Sequence, residues 1–231
     1  IVGCGTKESP AGAGAAEPVA SVEKQSLTIK GSDTMVQLAQ AWAQDFMKDN
    51  PNVSVTVTGG GSNTGIAALM NKGTDIANAS RPMKSEENDK AKESGVAVQE
   101  FTVAQDALSI VVNKKNTITE LTLAQLKDIY QGKVTNWKQL GGPDMNIVVN
   151  SRETSSGTYT FFQEHVLKKE PFADAVMYQP ATSQIMTSVS QDDGGIGFVG
   201  LGYVSDIVKS IPIKKDAASP AVTANVENVL N

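Results

Sequence analysis

The 231-residue sequence contains one cysteine and one histidine. That excludes an internal disulfide and leaves a Cys/His zinc site without enough ligands. No apolar run approaches the roughly 20 residues of a spanning helix, so no membrane crossing is expected. Basic residues are in the minority: 20 Lys and Arg against 25 Asp and Glu give a formal charge of −5. This argues against a broad nucleic-acid surface but leaves room for a local anion site. The length, with 40% hydrophobic residues, supports a real core in one large domain or two small ones.

The first residues, Ile1-Val2-Gly3-Cys4-Gly5, resemble the lipobox that ends a bacterial lipoprotein signal peptide, with Cys4 as the acylated residue. From Thr6 to about Ser26 the chain is mostly Ala, Gly, Pro, Glu and Ser, too poor in large apolar groups to offset the entropy of ordering. Residues 1–26 therefore read as an anchor and tether. An extracytoplasmic, lipid-anchored location, periplasmic or at the cell surface, is expected.

Beyond the tether, short β-branched runs alternate with helical patterns. Leu27–Lys30 reads as a strand, Gly31 to Thr34 as a polar turn, and Val36, Leu38, Ala39, Trp42 and Phe46 as one helix. The unit repeats: Val53–Thr58, a glycine-rich turn, a helix from about Thr64 to Asn71, then strand Asp75–Ala79 and helix Ser85–Glu93. Val96–Val103 alternates like a further strand. Asp106–Asn113 then leads into a second set, with a helix at Leu123–Tyr130, a strand at Ile147–Asn150 and a helix after Ser156. The glycine-rich strand 194–200 is placed to return the chain. The expected fold is α/β and two-lobed: mainly parallel sheets flanked by helices, hinge strands between the lobes, and ligand beyond the strand ends. Lobe 1 is expected at 27–105 plus 204–231, and lobe 2 at 106–203.

Four segments place hydroxyl or glycine residues between a strand end and a helix start: Ser32–Met35, Gly61–Gly65, Asn78–Arg81 and Arg152–Thr158. Helix N-termini carry unsatisfied N–H donors and partial positive charge, so several directed into one cleft make an anion site. Arg152 ahead of Ser155, Ser156, Gly157 and Thr158 adds a guanidinium able to grip two oxyanion oxygens. Taken singly, each segment is also ordinary helix capping or turn chemistry, and Arg81 an ordinary surface charge.

Nucleotide binding is disfavoured, because Gly59–Gly65 lacks the P-loop lysine and no Gly-x-Gly-x-x-Gly follows the first strand. Ser156 lacks the flanks of a nucleophile elbow, and His165 follows on the same helix without a partner set. No enzyme activity and no cofactor are expected.

GSDTM at Gly31–Met35, GGGSNTGI at Gly59–Ile66, DIANASRPMK at Asp75–Lys84, AQDALSIVVN at Ala104–Asn113 and RETSSGTYTFF at Arg152–Phe162 together resemble the phosphate-binding proteins of bacterial ABC importers, in their shorter form. Leu121–Gly142 resembles the family's second-lobe helix and turn, with Trp137 a packing residue. The resemblance implies a hinged monomer that closes on dehydrated inorganic phosphate and delivers it to a membrane ABC permease. It places contacts at Ser32, Thr34, Met35, Ser62, Ser80 or Arg81, Arg152, Ser156, Gly157 and Thr158.

Longer relatives carry, where this chain has Arg81, an aspartate that accepts a hydrogen bond from protonated phosphate. Protonated phosphate donates and sulfate does not, so an acceptor carboxylate leaves sulfate repelled and unpaired. Asp106, opening the crossing strand, is the first candidate for that role and Asp33 the second. Relatives also continue past the equivalent of Asn231 with elements that complete the first lobe, so that lobe is expected to be incomplete here. The rival readings are a binding protein for another tetrahedral oxyanion, such as sulfate or molybdate, a phosphoester-cleaving enzyme, and a surface adhesion or sensor protein on the same fold.

Overall fold

The computed structural model describes residues 24–230, with the side chain of residue 230 left out. Cys4 and most of the expected tether lie outside the described residues.

Three strand–helix units open the chain: β1 (Gln25–Gly31), α1 (Val36–Asp49), β2 (Val53–Thr58), α2 (Ser62–Met70), β3 (Ile76–Asn78) and α3 (Ser85–Glu93). Their strands form one all-parallel sheet in the order β2-β1-β3. Parallel neighbours require crossover connections, which α1 and α2 supply, and every strand then ends at the same edge. The three expected polar turns are thereby brought side by side. The core of this lobe is thin. Ala39, Ala43, Ile66 and Ala91 are its buried apolar residues, while Leu38, Trp42 and Phe46 stay 39–49% exposed along one side of α1.

Val96–Val103, expected as a strand, joins no sheet. It is irregular and mostly exposed, with Phe101 at 70%. Its alternation fits a pleated surface, but it pairs with no strand among the described residues.

The second body is built from β4 (Leu108–Val112), β5 (Leu121–Thr122), α4 (Leu123–Tyr130), β6 (Val148–Arg152), α5 (Gly157–His165), β7 (Met177–Gln179), α6 (Thr182–Gln191), β8 (Gly195–Gly200) and β9 (Lys209–Ile211). Its five-stranded sheet runs β7-β6-β8-β4-β9, with β6, β7 and β8 parallel and β4 antiparallel to both its neighbours. Side chains alternate across it. Ile110, Val112, Ile196 and Phe198 join Tyr130, Trp137 and Phe162 on one face. Val111 and Val199 meet Ile185, Met186 and Val189 of α6 on the other. Trp137 is fully buried and donates its indole N–H to the Gly194 carbonyl (3.0 Å). His165 packs at a tilt against Phe161 (centroids 4.3 Å apart, planes at 33°).

The chain closes with β10 (Ile213–Lys214), β11 (Ala221–Val222) and α7 (Val226–Leu230). The expectation that 204–231 returns to the first lobe needs correction. β9 pairs with β4, and β10 with β5, so this stretch runs along the second body. What does cross back is the turn after β8. Tyr203 donates its hydroxyl to the Asp33 carbonyl (2.6 Å).

Candidate functional site

The four segments singled out in the sequence converge. After β1, Ser32 is 2% exposed, its hydroxyl 2.8 Å from that of Thr34 in a short 3-10 turn, Asp33–Met35, that runs into α1. At the start of α2, Ser62 is fully buried and its hydroxyl accepts the Ser80 amide (3.1 Å). Gly61 precedes it with φ +92°, and a Cβ there would stand 2.3 Å from the Ser155 carbonyl of the other lobe. That close approach and positive φ are why glycine occupies the position.

From the second lobe, the start of α5 faces these hydroxyls. Ser156 is the N-cap residue, its hydroxyl oxygen accepting the amides of Thr158 (3.2 Å) and Tyr159 (3.3 Å), which leaves the hydroxyl proton to donate. A Cβ on Gly157 would sit 2.3 Å from the Ser62 hydroxyl and 2.7 Å from that of Ser80. The lobes are closed on one another. Asn63 donates its amide to the Ser155 carbonyl (3.0 Å) and its side-chain N–H to the Thr154 carbonyl (2.9 Å).

Both arginines are already engaged. Arg152, 1% exposed at the end of β6, donates to the carbonyls of Gln179 and Pro180, to the Thr182 hydroxyl (2.7 Å) and to the Asp33 carboxylate (2.5 Å). A guanidinium has five N–H donors, so one remains. The expected two-pronged grip on an anion is therefore replaced by a single free donor. Arg81 forks onto Glu87 (2.7 and 2.8 Å) and also donates to Asn63 (2.6 Å) and the Pro82 carbonyl. The hydrogen bond from Arg81 is the main reason the Glu87 carboxyl is held below its ordinary 4.5. Two pairs, Arg152–Asp33 and Arg81–Glu87, cancel the formal charge, so an anion here would be held mainly by hydroxyls, amides and helix termini.

Two buried donors at the end of β3 have no protein partner, Arg81 Nε and Asn78 Nδ2. Buried polar groups are nearly always paired, and an orphaned donor beside a cleft is what a bound acceptor would satisfy. Asn78 was not among the expected site residues, although the segment it opens was. An orphaned amide is a property of packing that sequence spacing does not carry.

The two candidate carboxylates part company. Asp33 meets Arg152 and also accepts the Gly60 amide (3.1 Å). Asp106 is exposed and accepts the amides of Ala107 (2.8 Å) and Leu201 (3.1 Å). It lines an open cavity of ≈650 Å³ with Leu108, Ile110 and Ile213, and none of the four converging segments lines that cavity. Asp106, the first choice, thus lies away from the four converging segments, whereas Asp33, the second, lies within one of them. Among the described residues there is no cluster of His, Cys, Asp and Glu able to hold a metal ion, and no helix long and apolar enough to cross a membrane.

Two α/β bodies with a polar, arginine-bearing cleft between them are the build of a solute-binding protein. Comparison with known proteins narrows the class. Residues 11–227 match the PBP superfamily domain. The chain is 36% identical to protein SphX of Synechococcus elongatus over 221 residues, covering 92% of this chain and 65% of that protein. It is 35% identical to the phosphate-binding protein PstS of Staphylococcus epidermidis over 193 residues, covering 81% and 59%. Among solved structures, a putative phosphate ABC transporter substrate-binding protein from Clostridium perfringens, with phosphate bound, is 37% identical with a TM-score of 0.80, covering 90% of this chain and 81% of that one. The chain belongs to the PBP superfamily and, within it, to the phosphate-binding proteins. It spans about three fifths of the length of the two curated relatives.

Proposed function

We propose that this chain binds one inorganic phosphate in the cleft between its lobes, without chemical turnover, and presents it to the permease of an ABC importer from an extracytoplasmic position, anchored through Cys4. The observation that carries the reading is the convergence of the Ser62 and Ser80 hydroxyls on Gly157, next to the Ser156 cap at the start of α5, with one carboxylate, Asp33, on the neighbouring turn held by Arg152. Contacts from Ser32, Thr34, Met35, Arg81 and Thr158 belong to the same proposal. So does the assignment of Asp33, in place of Asp106, as the acceptor that reads the phosphate proton. The relatives named for phosphate, and the Clostridium structure that holds it, support phosphate over sulfate or molybdate.

Calorimetric titration of ligand-stripped protein in excess sulfate tests this. One phosphate per chain should bind, undisturbed by sulfate. Asp33→Asn should weaken phosphate by about tenfold or more and let sulfate compete, since a charged hydrogen bond contributes about 1.5–3 kcal/mol. Equal competition by sulfate in the unsubstituted protein would remove the phosphate assignment.

A further inference from the structure

Two neighbouring strands of the second sheet, β4 and β8, are clipped together where the chain enters β4 and leaves β8. Asp106 accepts the amides of both Ala107 and Leu201, and the Leu201 amide also donates to the Ala107 carbonyl (2.9 Å). Gly200 lies against the same carboxylate, where a Cβ would stand 2.5 Å from Asp106 Oδ2. From this clip the chain makes one short 3-10 turn, Leu201–Tyr203. Tyr203 then reaches 170 residues back in sequence to donate to the Asp33 carbonyl at 2.6 Å. The Asp33 carboxylate in turn holds the Gly60 amide and Arg152.

Hydrogen bonds joined by short covalent stretches therefore link the clip between β4 and β8 to the cleft. We propose that Tyr203 is a positioning residue that ties the angle of the hinge to the anion loop: its hydroxyl holds the Asp33 main chain, and through it the Asp33 carboxylate, against Arg152. The proposal rests on the cleft assigned above and adds to it the element that senses closure. Burial first, and then the negative charge of Asp33, raise the Tyr203 hydroxyl above its ordinary 10.0. The hydroxyl thus stays protonated and a donor through the neutral range. Its turn is short and clipped at its start, so a rotation of the second body against the first moves the hydroxyl with little slack.

Tyr203→Phe removes the hydroxyl alone. The test compares it with Tyr130→Phe, which deletes a hydroxyl that donates to the Asn150 carbonyl (3.2 Å) inside the second lobe. Backbone amide exchange of the ligand-free chain is read by NMR at Asn63, whose amide bonds across the lobes, and at Gly60, whose amide bonds to Asp33. With Tyr203→Phe both amides should exchange about three- to tenfold faster, the range set by one net hydrogen bond. Phosphate release should quicken in the same proportion while its association rate holds. Tyr130→Phe should change neither. The exchange arm needs no ligand. If the unsubstituted protein fails to bind phosphate while Tyr203→Phe still accelerates these two amides, the phosphate assignment falls and the hinge link stands. Unchanged exchange at Asn63 and Gly60, an equal effect from Tyr130→Phe, or a uniform rise at all amides would overturn the proposal.

Discussion

Gly157 leaves the cleft no spare room, because a methyl group there would press on two serine hydroxyls of the opposite lobe, Ser62 and Ser80. It is also the first residue of α5, where alanine is the better helix former. Gly157→Ala should therefore leave helix content and folding intact while weakening phosphate by at least about tenfold, since the lobes can no longer meet. Circular dichroism beside calorimetry separates the two effects, and unchanged affinity would show that the closed contact is not needed for binding. Residue identity made some of this site legible in the sequence and left some hidden. Serines and glycines between strand and helix announce donors. That Arg152 has only one N–H free does not show in the sequence, because its partners Gln179, Pro180 and Thr182 span the junction of β7 and α6, which no motif marks. The surroundings of Asp106 were likewise hidden, because only the folded chain shows that the stretch ahead of β4 turns this carboxylate to the Ala107 and Leu201 amides.

Among the elements, α3 has its first turn organised by Glu87, which accepts the Lys84 amide at the helix start (2.8 Å) and the Arg81 fork. Arg81 is 7% exposed in its side chain, so removing its counter-charge strands a nearly buried cation. Glu87→Gln should destabilise the fold by about 2–3 kcal/mol near neutral pH, measured by urea unfolding. The folded-state value of Glu87 lies below 4.5, so its contribution is fully present above that pH and disappears as the pH falls through the lowered value. The stability gap between the unsubstituted protein and Glu87→Gln should accordingly narrow below pH 4.5, and a gap independent of pH would rule out the ion pair as its source. Regular, strongly patterned elements such as β2, α3 and α4 were legible in the sequence to the residue. The helix α6 was not: TSQIMTSVSQ is rich in Ser and Thr, weak helix formers, and it is held by burying Ile185, Met186 and Val189 against the sheet. Val96–Val103 failed in the opposite sense, with strong strand propensity but no pairing among the described residues.

At the scale of the whole molecule, closure depends on a few bonds that bridge two separately packed bodies. Asn63 is the most exacting of them. Its carbonyl oxygen accepts from Arg81 within the first lobe, while its N–H groups donate to the Thr154 and Ser155 carbonyls of the second. Asn63→Asp keeps the acceptor for Arg81 but replaces the donating amide with a charged oxygen facing the Thr154 carbonyl. Neither lobe loses core packing, so urea unfolding should shift by no more than about 1 kcal/mol. The interface, by contrast, gains a repulsion in a partly buried place where unpaired acceptors are costly. The added negative charge also opposes an incoming anion. The closed state should thus become the minor one, and apparent affinity falls in proportion to the fraction of chains still able to close. The expected result is a larger radius of gyration by small-angle scattering without ligand, and phosphate binding weakened by roughly tenfold or more. If affinity fell while the scattering profile of the ligand-free chain stayed that of the unsubstituted protein, the charge would be acting on the anion directly, and the bridge through Asn63 would not govern closure.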